Sequence, residues 1–185
     1  PQKKLVLVTM HRRENQGQPM RAVFAALREM VDAHPELEVV YPVHLSPAVQ
    51  EAAKEILGDH DRIHLIAPLD VFDFHNLASR SYFIMSDSGG VQEEAPSLGK
   101  PVLVLRDTTE RPEGVKVGTL KLVGTDPERV KEEMTALLTD PDLYQKMASA
   151  RNPYGDGKAS ERIVQAIQHY YGLVEVVSEF IEGEN

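Results

Sequence analysis

The run Tyr82-Phe83-Ile84-Met85-Ser86-Asp87-Ser88-Gly89-Gly90-Val91-Gln92-Glu93-Glu94-Ala95 constrains the fold most, because a short apolar strand ends in small residues that open directly into a helix. Such a turn has the build of an anion cradle. Gly89 and Gly90 let the backbone approach a ligand, Ser86 and Ser88 offer hydroxyls, and the free N–H groups and dipole of the new helix favour negative charge. A phosphate is the expected guest. Glu94, about a turn into that helix, can complement the dipole or accept hydrogen bonds from a ligand's hydroxyls.

Elements alternate along the rest of the chain. Leu5–Thr9 reads as a strand, and Pro19–Ala33 as a helix with apolar residues at Met20, Val23, Phe24, Leu27, Met30 and Val31. Leu37–Val43 is the second strand, and Ser46-Pro47 starts a helix that Gly58 stops after Leu57. Arg62–Ile66 is a third strand, followed by a short helix over 70–79, the strand at Tyr82, the Gly-Gly helix to Leu98 and the strand Pro101–Leu105. Gly118–Val123 is a weaker sixth strand, and helices over 126–138, 141–150 and 158–171 close the domain. This alternation predicts an α/β, Rossmann-like three-layer domain with a parallel sheet of about six strands and helices on both faces. The first strand runs into His-Arg-Arg-Glu-Asn, not a glycine-rich loop, which argues against a dinucleotide cofactor.

In an open parallel sheet the ligand crevice lies beyond the carboxyl ends of the strands. Two further polar clusters fall there: Met10-His11-Arg12-Arg13-Glu14-Asn15 after the first strand, and Arg106-Asp107-Thr108-Thr109-Glu110-Arg111-Pro112-Glu113 after the fifth. Arg111 could neutralise a phosphate or contact a base there, and His44 closes the second strand on the same side. Each cluster also admits a plainer reading as a solvated loop whose charges pair. His34, His60, His64, His75 and His169 are read only as surface or capping residues, and Phe74, spaced with Leu77, as core by default.

The motifs Thr9–Asn15, Asp87–Glu113 and Asn152-Pro153-Tyr154-Gly155-Asp156-Gly157 together closely resemble the non-hydrolysing UDP-N-acetylglucosamine 2-epimerases, a likeness running from about Lys4 to about Tyr171. The resemblance implies a glycosyltransferase-B-type architecture with its active site between two Rossmann-like domains. Residues 1–172 would be the C-terminal, UDP-binding one, 173–185 a tail that could form an extra helix, and the N-terminal domain would be absent. It implies interconversion of UDP-N-acetylglucosamine and UDP-N-acetylmannosamine by elimination of UDP to a 2-acetamidoglucal and its re-addition. By the same resemblance, His11 is catalytic, Ser88, Gly89 and Gly90 hold the phosphates, Glu94 the ribose hydroxyls, Phe74 stands near the uracil, and Arg111 contacts the nucleotide or its sugar. Arg12 and His44 would help bind a second, activating substrate outside the Ser-Gly-Gly site. Leu69 departs from the glutamine of some members. The proton-moving carboxylates would lie in the other domain, so this chain alone is expected to be inactive and its parent a homodimer. A glycosyltransferase donor domain and a non-catalytic UDP-binding module are the alternative readings.

Composition narrows the partners. With 185 residues, 42% of them hydrophobic, the chain can bury one good core. A net charge of −9 argues against a nucleic-acid or anionic-membrane partner. The lack of Cys removes disulfides and thiol chemistry and fits a reducing compartment. No apolar run approaches the roughly 20 residues of a membrane span, and no signal peptide is visible, so a cytoplasmic location is expected. The chain enters a strand almost at once from Pro1, which reads as an excised or truncated domain. Asp87, Glu93, Glu94, Asp107 and Glu110 form no compact ligand pattern, so no metal or other cofactor is expected.

Overall fold

A computed structural model describes residues 3–179. Six parallel strands, β1 (Lys4–Thr9), β2 (Leu37–Pro42), β3 (Ile63–Ile66), β4 (Phe83–Ser86), β5 (Val102–Val104) and β6 (Leu120–Leu122), form one sheet in the order β3-β2-β1-β4-β5-β6. The helices are α1 (Gln18–Ala33), α2 (Pro47–Leu57), α3 (Val71–Arg80), α4 (Gly89–Glu94), α5 (Pro112–Val117), α6 (Pro127–Thr139), α7 (Pro141–Ser149) and α8 (Ala159–Tyr170). Alternating strand residues face opposite ways, which sorts the core into two layers. Val6, Val8, Val39, Phe83, Met85 and Leu103 pack with α1, α2, α6 and α7, while Leu7, Ile84, Val102 and Val104 pack with α3 and α4. Burial on both faces is why these strands read as continuous apolar runs.

The sequence expectations hold for the sheet and for the main helices, with local differences. The Gly-Gly helix stays α-helical only to Glu94 and tightens to a 3-10 turn over Ala95–Leu98, where Pro96 lacks the N–H that an α-helix would use. The end of the polar loop, Pro112 and Glu113, and the unassigned residues 114–117 form α5, with Pro112 in its first turn. Gly118 at φ 87 ends α5, so the sixth strand begins later than expected, at Leu120. Ser46 starts α2 without a side-chain cap; its N–H instead donates to His44 Nδ1 at 3.0 Å. Residues 173–179 carry no helix, so the extra helix is not formed there, and the rest of that tail lies outside the described residues.

Candidate functional site

The strand order reverses between β1 and β4, and at such a switch point the two connections leave to opposite faces and open a crevice. The residues that leave β1 there are His11 and Arg12; those that leave β4 are Asp87 and Ser88. Asp87 is fully buried and ties the two ends together. Its Oδ2 accepts the backbone N–H groups of Arg12 at 2.8 Å and His11 at 3.0 Å and the Asn15 amide at 3.0 Å, and its Oδ1 shares the His11 N–H at 3.1 Å. Asn15, itself buried, also donates to the Leu105 carbonyl at 3.1 Å, which brings in the end of β5. Tyr41 Oη donates to the Met10 carbonyl, and burial, reinforced by the Asp87 charge, pushes its phenol pKa up. A buried carboxylate with this many donors is a framework on which His11 is mounted.

Above that frame sit the cations. Arg12 Nε donates to the Asp87 carbonyl at 3.1 Å, and its Nη2 to Glu110 Oε1 at 2.9 Å. Arg106 bridges Glu110 and Glu14, while Arg111 pairs with Glu93 and donates to the Glu110 carbonyl. The Glu110 carboxyl is held down at about 2 by its own backbone N–H and then by Arg106. A Cβ on Gly89 would stand 3.1 Å from Glu110 Oε1, 3.7 Å from Arg12 Nη2 and 3.9 Å from Arg111 Nη2. A larger residue at Gly89 would therefore have to push the Glu110 carboxylate aside by a few tenths of an ångström; its φ is not in the left-handed region, and two guanidinium groups converge on it. Gly90 is exposed and meets only ordinary contacts, from Glu94 Oε1 and Ser88 Oγ.

Glu94 lies farther along. His75 Nε2 stands 3.0 Å from its Oε2, and the His75 ring meets Phe74 edge-on at 6.2 Å between centroids. Phe74 is half-buried against the α3–α4 core layer, and its ring contact is with His75, the partner of Glu94. On the far flank of Glu94 opens a cleft of about 600 Å³ lined in part by Glu93, Asn152, Tyr154 and Gly155. Tyr154 anchors that segment by accepting the Gly114 N–H at 2.9 Å and donating to the Arg111 carbonyl at 3.2 Å.

Two expectations change. Ser86 offers nothing to a ligand: it is fully buried, shares a hydrogen bond with Thr9 Oγ1 at 2.7 Å and accepts the Ser88 N–H at 3.0 Å. Arg12 does not stand apart from the Ser-Gly-Gly turn, since its short reach from β1 lays it across the Asp87 carbonyl and Gly89. His44 stays outside the Ser-Gly-Gly turn: its ring stacks on His11 at 5.3 Å and 16°, and its Nδ1 accepts the Ser46 N–H of the following loop. Asp87's role as a frame, Asn15, His75 and the buried Gln92, which accepts a hydrogen bond from Thr109, escaped the sequence reading. The only signal for Asp87 and Asn15 was their place at strand ends inside the quoted motifs. Among the described residues, no three His, Cys, Asp or Glu gather as metal ligands, and no helix is long and apolar enough to cross a membrane.

An all-parallel sheet in this order, with its reversal between β1 and β4, defines an α/β domain of the Rossmann-like class. The family model described as UDP-N-acetylglucosamine 2-epimerase matches residues 1–168, and the chain belongs to that family. It is 63% identical over 169 residues to the UDP-N-acetylglucosamine 2-epimerase of Bacillus subtilis, covering 91% of this chain and 44% of that protein. A co-structure of S. aureus MnaA with UDP is 55% identical and superposes with a TM-score of 0.92 over 97% of this chain and 49% of that one. The UDP-GlcNAc 2-epimerase from Neisseria meningitidis, bound to UDP-GlcNAc, is 47% identical with a TM-score of 0.87, over 90% and 45% of the two chains. The chain therefore spans about half the length of the curated relatives it matches.

Proposed function

We propose that this chain is the UDP-binding half of an enzyme that interconverts UDP-N-acetylglucosamine and UDP-N-acetylmannosamine. The observation that carries the reading is the convergence of Arg12 and Arg111 on Gly89 at the switch point, beside His11. In the reaction the C2 proton and UDP leave the sugar to give a 2-acetamidoglucal; UDP then returns to C1 and a proton to the opposite face of C2. Negative charge grows on the diphosphate as the C1–O bond breaks. Ser88, Gly89, Gly90, Arg12 and Arg111 stabilise it, and a protonated His11 assists departure. Arg111 would exchange its Glu93 partner for phosphate. Glu94 takes the ribose hydroxyls, oriented by His75, with Phe74 beside the uracil.

Groups that move the C2 proton belong in this reading to the other half, so the chain alone binds UDP and turns nothing over. The parent is a cytoplasmic homodimer that works without a metal or cofactor. Arg12 and His44 also remain candidates for a second UDP-N-acetylglucosamine, which would then lie directly against His11. Calorimetric titration of the chain with UDP tests the site: binding is expected, weakened by about 1 to 3 kcal/mol in Glu94→Ala if the carboxylate takes ribose hydrogen bonds. No heat at millimolar UDP removes the assignment. In the full-length protein, His11→Ala or Arg111→Ala should lower turnover on the order of 10² to 10³ while affecting substrate binding less. Epimerisation by this chain alone would overturn the two-half mechanism.

A further inference from the structure

His11 and His44 stack, yet their ring nitrogens face opposite electrostatic partners. His44 Nδ1 accepts the Ser46 backbone N–H at 3.0 Å, so in the neutral ring the proton sits on Nε2. His11 Nδ1 instead faces Asp87 Oδ1 at 3.6 Å. The two oxygens of Asp87 are loaded unequally: Oδ2 accepts three donors, whereas Oδ1 only shares the His11 N–H. The spare acceptor capacity of a fully buried carboxylate is therefore on the oxygen next to the imidazole, and an ionised carboxylate has no proton to donate.

We propose that Asp87 is a positioning residue that sets the tautomer of His11, with the proton on Nδ1 toward the carboxylate and the lone pair on Nε2. The stacked pair then carries opposite tautomers, His11 as Nδ1–H and His44 as Nε2–H. This deepens the reading of His11 as the group that assists the leaving diphosphate and rests on that reading for its functional meaning only. With the Nδ1 proton directed at Asp87, the nitrogen across the ring is the one that gains and gives up a proton, while the same carboxylate holds the His11 backbone.

The test is long-range ¹H–¹⁵N NMR of the histidine rings in the unliganded chain, at a pH where both are neutral, with peaks assigned through His11→Gln and His44→Gln. The expected spectrum has His11 protonated on Nδ1 and His44 on Nε2. In Asp87→Asn the amide oxygen stays with the three-donor position, so the NH₂ turns to Nδ1 and forces His11 to Nε2–H, leaving His44 unchanged. Wild-type His11 found as Nε2–H, or with the averaged shifts of free imidazole, overturns the proposal; so does an unmoved His11 in folded Asp87→Asn. Should that variant fail to fold, the wild-type spectrum decides. Loss of UDP binding would sink the nucleotide reading without touching the tautomer, and a wrong tautomer would leave UDP binding standing. In the full-length protein, Asp87→Asn should lower kcat on the order of 10²- to 10⁴-fold with KM little changed, the signature of a misdirected imidazole.

Discussion

Helix α1 buries Met20, Val23, Phe24, Ala26, Leu27, Met30 and Val31 against the sheet, whereas α8, with an apolar stripe at Ile163, Val164 and Ile167, buries no residue. Those three side chains are each more than half exposed, and Tyr170 and Tyr171 beyond them still more so. Both helices obey the same periodicity, so amphipathy alone says that a helix wants an apolar partner and not where that partner is. For α1 the partner is the sheet. For α8 we propose that it is the other half of the longer protein, since the chain spans only about half of its relatives.

The largest effect should come from the satisfied helix. Phe24 is fully buried, in ring contact with Tyr41 at 5.5 Å, and Phe24→Ala should cost about 3 to 5 kcal/mol through lost transfer energy and the cavity left behind. Urea denaturation of the chain measures it. A loss under about 1 kcal/mol would mean that the α1 layer is not close-packed. Tyr41→Phe keeps the ring and orphans the Met10 carbonyl beneath His11; about 1 to 3 kcal/mol should go, with no change in the unfolding slope.

Ile167→Asp on α8 breaks the comparison if it behaves like the core changes. In this chain it should stay within about 0.5 kcal/mol of the parent, as surface changes do. In the full-length protein it should destabilise clearly. Equal indifference in both would leave the α8 stripe without a partner in the other half.

The sheet was legible because strands buried on both faces announce themselves as apolar runs, and the termini of α1, α2 and α6 because Pro and Asp signal helix starts. Helix α5 was not, since its six residues hold too few apolar positions for a period, and one of its N–H groups, that of Gly114, finds its partner in Tyr154, forty residues on. At the site the candidates that reach solvent at least in part, His11, Arg12, Glu94 and Arg111, could be named through motifs. Asp87 and Asn15 could not be assigned their roles: a buried polar residue is defined by the partners the fold brings to it, and here those are donors from the segment after β1 for Asp87 and the Leu105 carbonyl after β5 as acceptor for Asn15, far away in sequence. His75 looked like a surface residue because its partner, Glu94, lies on another helix.

The smallest effect concerns charge, and it contrasts the two regions once more. Glu110 at the site is held at about 2 by its own backbone N–H and Arg106, while Asp156, beside α8, is held well below the usual carboxylate range by a two-pronged pair with Arg162 at 2.7 and 2.8 Å. Both carboxyls are lowered on folding. Each therefore contributes stability that is present above the ordinary carboxylate range and is lost as pH falls through the lowered value. Stability should stay flat on acidification from neutral pH until the ordinary range is reached, then decline. Both pairs are open to solvent, so salt should shrink the effect. Carboxyl ¹³C titration at low ionic strength should put Glu110 near 2 and Asp156 below the ordinary carboxylate range. Joining the chain to the other half should move Asp156 more than Glu110 if α8 is the docking helix. A Glu110 midpoint in the ordinary range would show that Arg106 and Arg12 are not held against it, and the convergence of cations above Gly89 would lose its support.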